Sequence, residues 1–344
     1  MLDDQSFLSR YDNGNALGVV GGQPGQLSQQ FSIPDIDLDA VTSVVLAGMG
    51  GSALAGQFLQ HYLSDQLKLP MIIDRGYELP QFVGADTLVI VSSYSGNTEE
   101  ELAELEQARG AGAKIVIMTS GGELKRRALA TKLPLIIIPS GLQPRLAVLY
   151  EIKALASLFD QTGLSQNVAT ELEETGRWLL SHSSNWVADV QTPKNIAKQI
   201  AQDLLGCGVV VYGGPTLSMQ AYKWKIDINE NAKQAAFYNE LPEFNHNEFL
   251  GWKNPRDKLL KVVELQSSLD LPQIAKRWEV SNRLLSGQMP KPIIVEAIGK
   301  TKLQQMLWTQ LLGDYVSLYL AFLNGIDPTP VDMIEKLKRE LKKS

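Results

Sequence analysis

The chain is poor in the residues that anchor several functional classes. It has one cysteine, Cys207, in 344 residues. A single thiol excludes an internal disulfide framework and suits a reducing compartment, so a cytoplasmic location is expected. Its three histidines, His61, His182 and His246, lie far apart, and it has neither an H-E-x-x-H motif nor a cysteine pair. A metal ion or other cofactor is therefore not expected. Positive charge is in deficit: 32 Lys and Arg stand against 38 Asp and Glu, for a net charge of −6. No broad basic surface points to nucleic acid, and an anionic substrate must be held by local groups, not by the overall field. No run reaches the ~18 apolar residues of a membrane span. Asp3, Asp4 and Arg10 interrupt the first residues, so no signal peptide is expected there. No low-complexity tract or charge block predicts a disordered arm.

The length suggests two domains of about 150 residues each, and 44% hydrophobic residues suffice for full cores. The chain is organised around residues 91–100, Val-Ser-Ser-Tyr-Ser-Gly-Asn-Thr-Glu-Glu. Leu88 to Val91 read as a buried strand and Glu99 to Ala108 as a helix. Between them stand the hydroxyls of Ser93, Ser95 and Thr98, with Gly96 allowing a tight turn. A strand, a hydroxyl-rich loop and a helix N-terminus can receive a dianion, because the first-turn N–H groups are unpaired and the dipole is positive there. An ordinary turn with Thr98 as N-cap would use the same residues. A second unit of this kind comes earlier. Val44 to Gly48 read as a strand, Gly48-Met49-Gly50-Gly51-Ser52 as a loop and Ala53 to Leu63 as a helix. Gly50 and Gly51 let backbone approach a ligand without a Cβ in the way. Ser52 can cap the helix or bond an anion. In a parallel sheet both loops lie at the carboxyl edge, where ligands bind.

Residues 1–40 read as a helix followed by an irregular approach, glycine-rich around Gly14 to Gly25. Apolar runs at 44–48, 71–74, 88–92, 114–119 and 135–138 alternate with helical segments. That alternation implies a parallel sheet covered on both faces. Pro139 to Arg145 closes this subdomain, residues 1–150. Arg145 stands at the start of a helix, where a cation opposes the dipole; that makes a purely structural role less comfortable, although by residue type alone a surface arginine in a salt bridge is the commoner case. Residues 151–205 are amphipathic and helical, a connector, and His182 within it reads as structural. A second α/β half follows, with strands at 208–214, 235–238, 261–265 and 292–297 and helices at 216–231, 271–285, 303–323 and 331–342. The fold class is thus α/β, with similar subdomains over 1–150 and 151–344, each a parallel sheet flanked by helices. Glu230 ends a helix, and His246 lies among Asn245, Asn247 and Glu248. Taken alone, the glutamate reads first as a solvated charge at a helix end. The histidine has the titration range for proton transfer.

Gly50-Gly51-Ser52 with Ser93-Tyr94-Ser95-Gly96-Asn97-Thr98 resembles the sugar isomerase (SIS) domain, which binds phosphosugars. Ile228-Asn229-Glu230-Asn231-Ala232-Lys233 followed by Leu241-Pro242-Glu243-Phe244-Asn245-His246-Asn247-Glu248 is more specific. It resembles the bifunctional phosphoglucose/phosphomannose isomerases, a branch of the phosphoglucose isomerase superfamily. Leu312-Gly313-Asp314-Tyr315 and residues 325–331 match the same branch, so the resemblance covers roughly residues 40–342. It implies aldose–ketose isomerisation of glucose 6-phosphate and mannose 6-phosphate to fructose 6-phosphate through a cis-enediol. By the same resemblance, Glu230 would move the proton between C2 and C1, and His246 would open the ring from the neighbouring subunit of a homodimer. Arg145 would stabilise the enediolate. Ser52, Ser93, Ser95 and Thr98, with the N–H groups of Gly50 and Gly51, would hold the phosphate. Lys336 would assist ring opening, with Lys338 close enough to compete for that assignment. Thr329 would stand where single-substrate relatives carry a glutamine. Two rivals remain. One is a non-catalytic SIS regulator that senses phosphosugars, which should lack the base and the histidine. The other is an isomerase of another sugar phosphate, against which residues 228–248 argue.

Overall fold

Val44 to Ala47 and Leu88 to Val91 are wholly inaccessible to solvent, as central strands covered on both faces must be. In the computed structural model, which describes residues 1–253 and 259–341, the chain forms two units. One is residues 22–180 and the other is residues 1–21 with 181–344.

Two N-terminal helices come first, α1 (Gln5–Tyr11) and α2 (Ala16–Gln26). The unit boundary falls within α2. Its four glycines and Pro24 suggest irregular backbone, yet the segment is helical. The Asp12 carboxylate accepts the amides of Ala16 and Leu17 at 2.5 and 3.2 Å, and Val20 is fully buried. Capping and burial override a weak intrinsic propensity.

The 22–180 unit continues with β1 (Ser43–Gly48), α3 (Gly50–Tyr62), β2 (Met71–Asp74), β3 (Thr87–Ser92), α4 (Glu99–Gly110), β4 (Lys114–Thr119), α5 (Gly122–Thr131), β5 (Leu135–Ile137) and α6 (Val148–Gln161). Helix α7 (Val168–Ser183) crosses the second boundary. The strands are all parallel, in the order β2-β1-β3-β4-β5. The order reverses between β1 and β3, so the loops after these two strands open side by side at a topological switch point. Small residues let the layers close: a Cβ on Gly56 of α3 would lie 2.7 Å from Leu46 of β1.

The other unit contains α8 (Ile196–Leu204), β6 (Gly208–Gly213), α9 (Ser218–Glu230), β7 (Ala236–Glu240), β8 (Leu260–Gln266), α10 (Pro272–Leu284), β9 (Ile293–Glu296), α11 (Lys302–Leu323) and α12 (Asp332–Leu341). Its sheet is parallel, in the order β7-β6-β8-β9. Helix α11 is buried almost all round, the pattern of a helix enclosed in a core. The α/β fold with two parallel sheets matches the expectation from the sequence. No helix among the described residues is long and apolar enough to cross a membrane.

Candidate active site

The six predicted phosphate-binding residues lie on the two loops at the β1/β3 switch point. Gly50 adopts φ +51° at the start of α3, a conformation that favours glycine. A Cβ on Gly51 would lie 2.8 Å from the Pro144 carbonyl, so the loop can close on the Pro144–Leu146 turn only with glycine there. Ser52 lies in the first turn of α3 and is 2% exposed. Its Oγ stands 2.6 Å from Glu151 Oε1 and accepts the Tyr94 amide at 3.2 Å.

In the second loop Ser93 and Thr98 pair at 2.8 Å through their hydroxyls. Each hydroxyl has one proton, so the pair uses one and leaves the other for a further acceptor, a ligand or the Glu101 carboxyl beside Thr98. This contact explains why Thr98 occupies the N-cap position of α4 without bonding the helix through its side chain. Ser95 is exposed, and its Oγ accepts the Asn97 amide at 3.3 Å. Gly96 has φ +68°, and a Cβ there would lie 2.0 Å from the Gly121 carbonyl. The loop is locked on its neighbour by two further bonds, Leu124 N–H to the Gly96 carbonyl at 2.9 Å and Glu123 N–H to Asn97 Oδ1 at 3.0 Å.

Tyr94 braces the adjoining segment. Its hydroxyl donates to the Pro139 carbonyl at 2.9 Å and accepts the Leu142 amide at 3.1 Å. Arg145 follows, within a short 3-10 turn, and is 4% exposed; a solvated surface arginine is thus excluded. Gln26 bonds the Leu146 carbonyl at 2.8 Å and accepts the Tyr150 amide at 3.2 Å, which fixes the turn.

Three buried carboxyls lie in this unit. Burial, the leading cause in each case, pushes Glu101 up to about 7, Glu151 up to about 8 and Glu104 up to about 9. Thr98 and the Met49 amide oppose the shift at Glu101, while a hydrogen bond with Asp74 adds to it at Glu104. Taking a carboxylate out of water disfavours its charged form.

In the other unit Glu230 is the last residue of α9 and is part-exposed. Its surroundings are held by side chains. Lys233 Nζ donates to the Glu230 carbonyl at 2.7 Å and to the Pro328 carbonyl at 3.0 Å. That lysine ties the end of α9 to the turn that carries Thr329. Asn231, fully buried, donates to Ser317 Oγ at 2.9 Å. The Thr329 amide donates to Asp327 Oδ1 at 2.8 Å, and Asn13 donates to Asp327 Oδ2 at 3.0 Å. A Cβ on Gly14 would lie 2.4 Å from Thr329 Oγ1. Residues 13 and 14, which carry no motif, therefore back the Thr329 turn. Beneath α9 lies a buried triad: Lys223 Nζ stands 2.5 Å from Asp227 Oδ1 and 2.7 Å from Asp314 Oδ1.

His246 is exposed at the end of the Glu243–His246 turn. The segment is anchored on both sides of it. Phe244 is 1% exposed and packs on Tyr212 at 4.4 Å between ring centroids. Glu248 accepts hydrogen bonds from the Tyr212 hydroxyl and, at 2.7 Å, from Asn239. Trp252 donates to the same Tyr212 hydroxyl at 2.8 Å. Asn245 donates to Ser281 Oγ at 2.9 Å and accepts from Arg277 at 3.1 Å. A pinned loop with an exposed histidine is therefore observed. Lys336 is exposed on α12, where Met333, Ile334, Leu337 and Leu341 are exposed as well. The side chain of Lys338 lies outside the described residues. Among the described residues, no group of three or more His, Cys, Asp or Glu side chains is placed to hold a metal ion.

Sequence reasoning missed Glu151, Tyr94, Glu248 and the Lys223 triad as supports of these groups. A faint signal existed for Glu151, an acid inside the apolar run Val148-Leu149-Tyr150-Glu151-Ile152.

Two parallel sheets with a hydroxyl-lined switch point in the first define a SIS-type protein. The family description "SIS domain" matches residues 38–144, and "Bacterial phospho-glucose isomerase C-terminal SIS domain" matches residues 193–341. Curated relatives named bifunctional phosphoglucose/phosphomannose isomerase occur in Caldicellulosiruptor bescii and Aquifex aeolicus. The first is 38% identical over 92% of this chain and 96% of the relative, the second 35% identical over 91% and 95%. A solved glucose-6-phosphate isomerase like protein from Thermus thermophilus superposes with a TM-score of 0.63, at 18% identity, over 98% of both chains. The chain belongs to the bifunctional phosphoglucose/phosphomannose isomerase family.

Proposed function

We propose that this chain interconverts glucose 6-phosphate and mannose 6-phosphate with fructose 6-phosphate. The observation that carries the reading is the hydroxyl set of Ser52, Ser93, Ser95 and Thr98 at the β1/β3 switch point, in a chain of this family. A phosphate held there is remote from the reacting carbons, so its binding energy serves to position them. Glu230 takes the C2 proton of the open-chain aldose. The electron pair becomes the C1–C2 double bond, and the carbonyl oxygen becomes an enediolate oxygen, which Arg145 stabilises. A proton passes from O2 to O1, and protonated Glu230, which can exchange with solvent during the lifetime of the enediol, delivers a proton to C1. His246 and Lys336 serve ring opening. The proposed assembly is a cytoplasmic homodimer in which His246 of each chain serves its neighbour. A coupled assay of fructose 6-phosphate formation from each aldose phosphate tests the reading; failure with both sugars would refute it.

The dimer makes a separate prediction. Mixed Glu230→Gln and His246→Ala subunits, each inactive alone, should regain activity after subunit exchange, because one site in the hybrid holds both intact residues. No recovery after verified exchange would show that each chain builds its site alone.

Thr329 accounts for tolerance of both C2 configurations. Its short side chain leaves room for either hydroxyl, and Asp327 and Gly14 hold its turn. Thr329→Gln should depress mannose 6-phosphate turnover relative to glucose 6-phosphate by ~1–3 kcal/mol in kcat/KM. Equal loss on both sugars would remove Thr329 from the explanation.

A further inference from the structure

Glu151 is fully buried in α6, and its Oε1 lies 2.6 Å from Ser52 Oγ. The same Oγ accepts the Tyr94 amide at 3.2 Å. A hydroxyl has one proton and two lone pairs, and the Tyr94 amide takes one lone pair. If Glu151 is ionised, it can only accept, and the one Ser52 proton is committed to it. Ser52 then has nothing to donate to a ligand. If Glu151 carries a proton, it donates into the second lone pair and frees the Ser52 proton for the loop.

We propose that Glu151 acts as a protonated donor beneath the first loop and thereby makes Ser52 a donor to the substrate phosphate. This is a positioning role, and it rests on the phosphosugar reading of the two loops. A neutral carboxyl also spares the bound dianion a buried negative charge. Burial is the main force that keeps the proton, raising Glu151 to about 8; the Ser52 hydroxyl opposes the shift and the like charge of Glu101 reinforces it.

The elements around α6 bring few other titratable groups to bear. Arg145 lies in the turn before it, and Tyr94 in the second loop is itself raised, chiefly by burial and in part by Glu151. On α3, His61 and Tyr62 lie at the far end, where the Tyr62 hydroxyl bonds Glu171. Lys153 of α6 bonds the Ala169 carbonyl and lies 4.0 Å from Glu173. The direction follows from the raised value. The proton is present at neutral pH and is lost as pH rises through about 8, so phosphate affinity should fall across that range.

The test is calorimetric titration of the full-length protein with inorganic phosphate from pH 7.5 to 9.5. For the unaltered protein, affinity should fall about tenfold, the worth of one hydrogen bond to a charged group. Glu151→Gln keeps a neutral donor at every pH. It should stay within about threefold of the unaltered protein at pH 7.5 and lose the alkaline decline, a rescue that packing alone does not give. Glu151→Ala removes both the acceptor that claims the Ser52 proton and the donor that orients the hydroxyl, so at pH 7.5 it should bind more weakly than Glu151→Gln but less than about tenfold below the unaltered protein, with no alkaline decline. Ser52→Ala, which removes the donor itself, should be about tenfold weaker at pH 7.5 with no alkaline decline, and it serves if either Glu151 variant fails to fold. The same alkaline decline in Glu151→Gln, or in Ser52→Ala, would overturn the role of Glu151. No phosphate binding by the unaltered protein at any pH would overturn the phosphosugar reading and this inference together.

Discussion

Glu230→Gln should lower turnover by at least ~10²-fold, the usual loss when a positioned general base is removed. The amide keeps the shape and size of the side chain but cannot take the C2 proton. Phosphosugar affinity should change little, because the hydroxyls proposed to hold the phosphate lie at the β1/β3 switch point and not on α9. The backbone around residue 230 should also survive, since Lys233 grips its carbonyl and Asn231 bonds Ser317 without using the carboxylate. Steady-state turnover with either aldose phosphate, together with equilibrium binding of fructose 6-phosphate, separates the two effects. A variant that keeps more than about a tenth of the normal rate would remove Glu230 from the role of base.

The second large effect is on stability. Lys223→Met should destabilise its unit by about 3–5 kcal/mol, because it leaves uncompensated acid groups in the core. Lys223, Asp227 and Asp314 are all at 0% exposure. Burial pulls the Lys223 ammonium down, but Asp227 and Asp314 outweigh it and hold the group at about 12. The stabilisation that follows is complete below the ordinary lysine value near 10.5 and is lost as pH rises through about 12. Burial likewise raises Asp227 well above its usual value. Replacing all three residues by apolar ones of similar volume should recover most of the loss, as commonly happens when a whole buried ionic group is exchanged. Urea denaturation at pH 7 measures both variants. A loss under about 1 kcal/mol for Lys223→Met would show that the aspartates tolerate isolation, contrary to the rule for broken buried pairs.

The sheets were legible because central parallel strands are continuous apolar runs. Val44 to Ala47 and Leu88 to Val91 could hardly be anything else, and the hydroxyls that follow them mark the carboxyl edge. Helix α2 was not legible, because Gly18, Gly21, Gly22, Pro24 and Gly25 argue against a helix. Its cap comes from Asp12 and its burial from the fold. Arg145 was visible as an unusual cation at a helix start, but its burial depends on a turn closed against Gly51 and clamped by Gln26. Glu151 was illegible for a plain reason: its partner Ser52 is 99 residues away. A lone acid in an apolar helix signals a hidden partner without naming it. His246 was legible as chemistry, whereas its anchors Tyr212, Asn239 and Trp252 are ordinary strand and turn residues until the fold gathers them around Glu248.

In the proposed reaction one base forms one enediol from two aldose phosphates. The direct measurement is proton NMR of mannose 6-phosphate incubated with the purified protein in deuterium oxide. A shared enediol predicts that fructose 6-phosphate and glucose 6-phosphate both appear, with solvent deuterium at C2 of the glucose 6-phosphate. Mannose 6-phosphate left unchanged by protein that converts glucose 6-phosphate would contradict the claim.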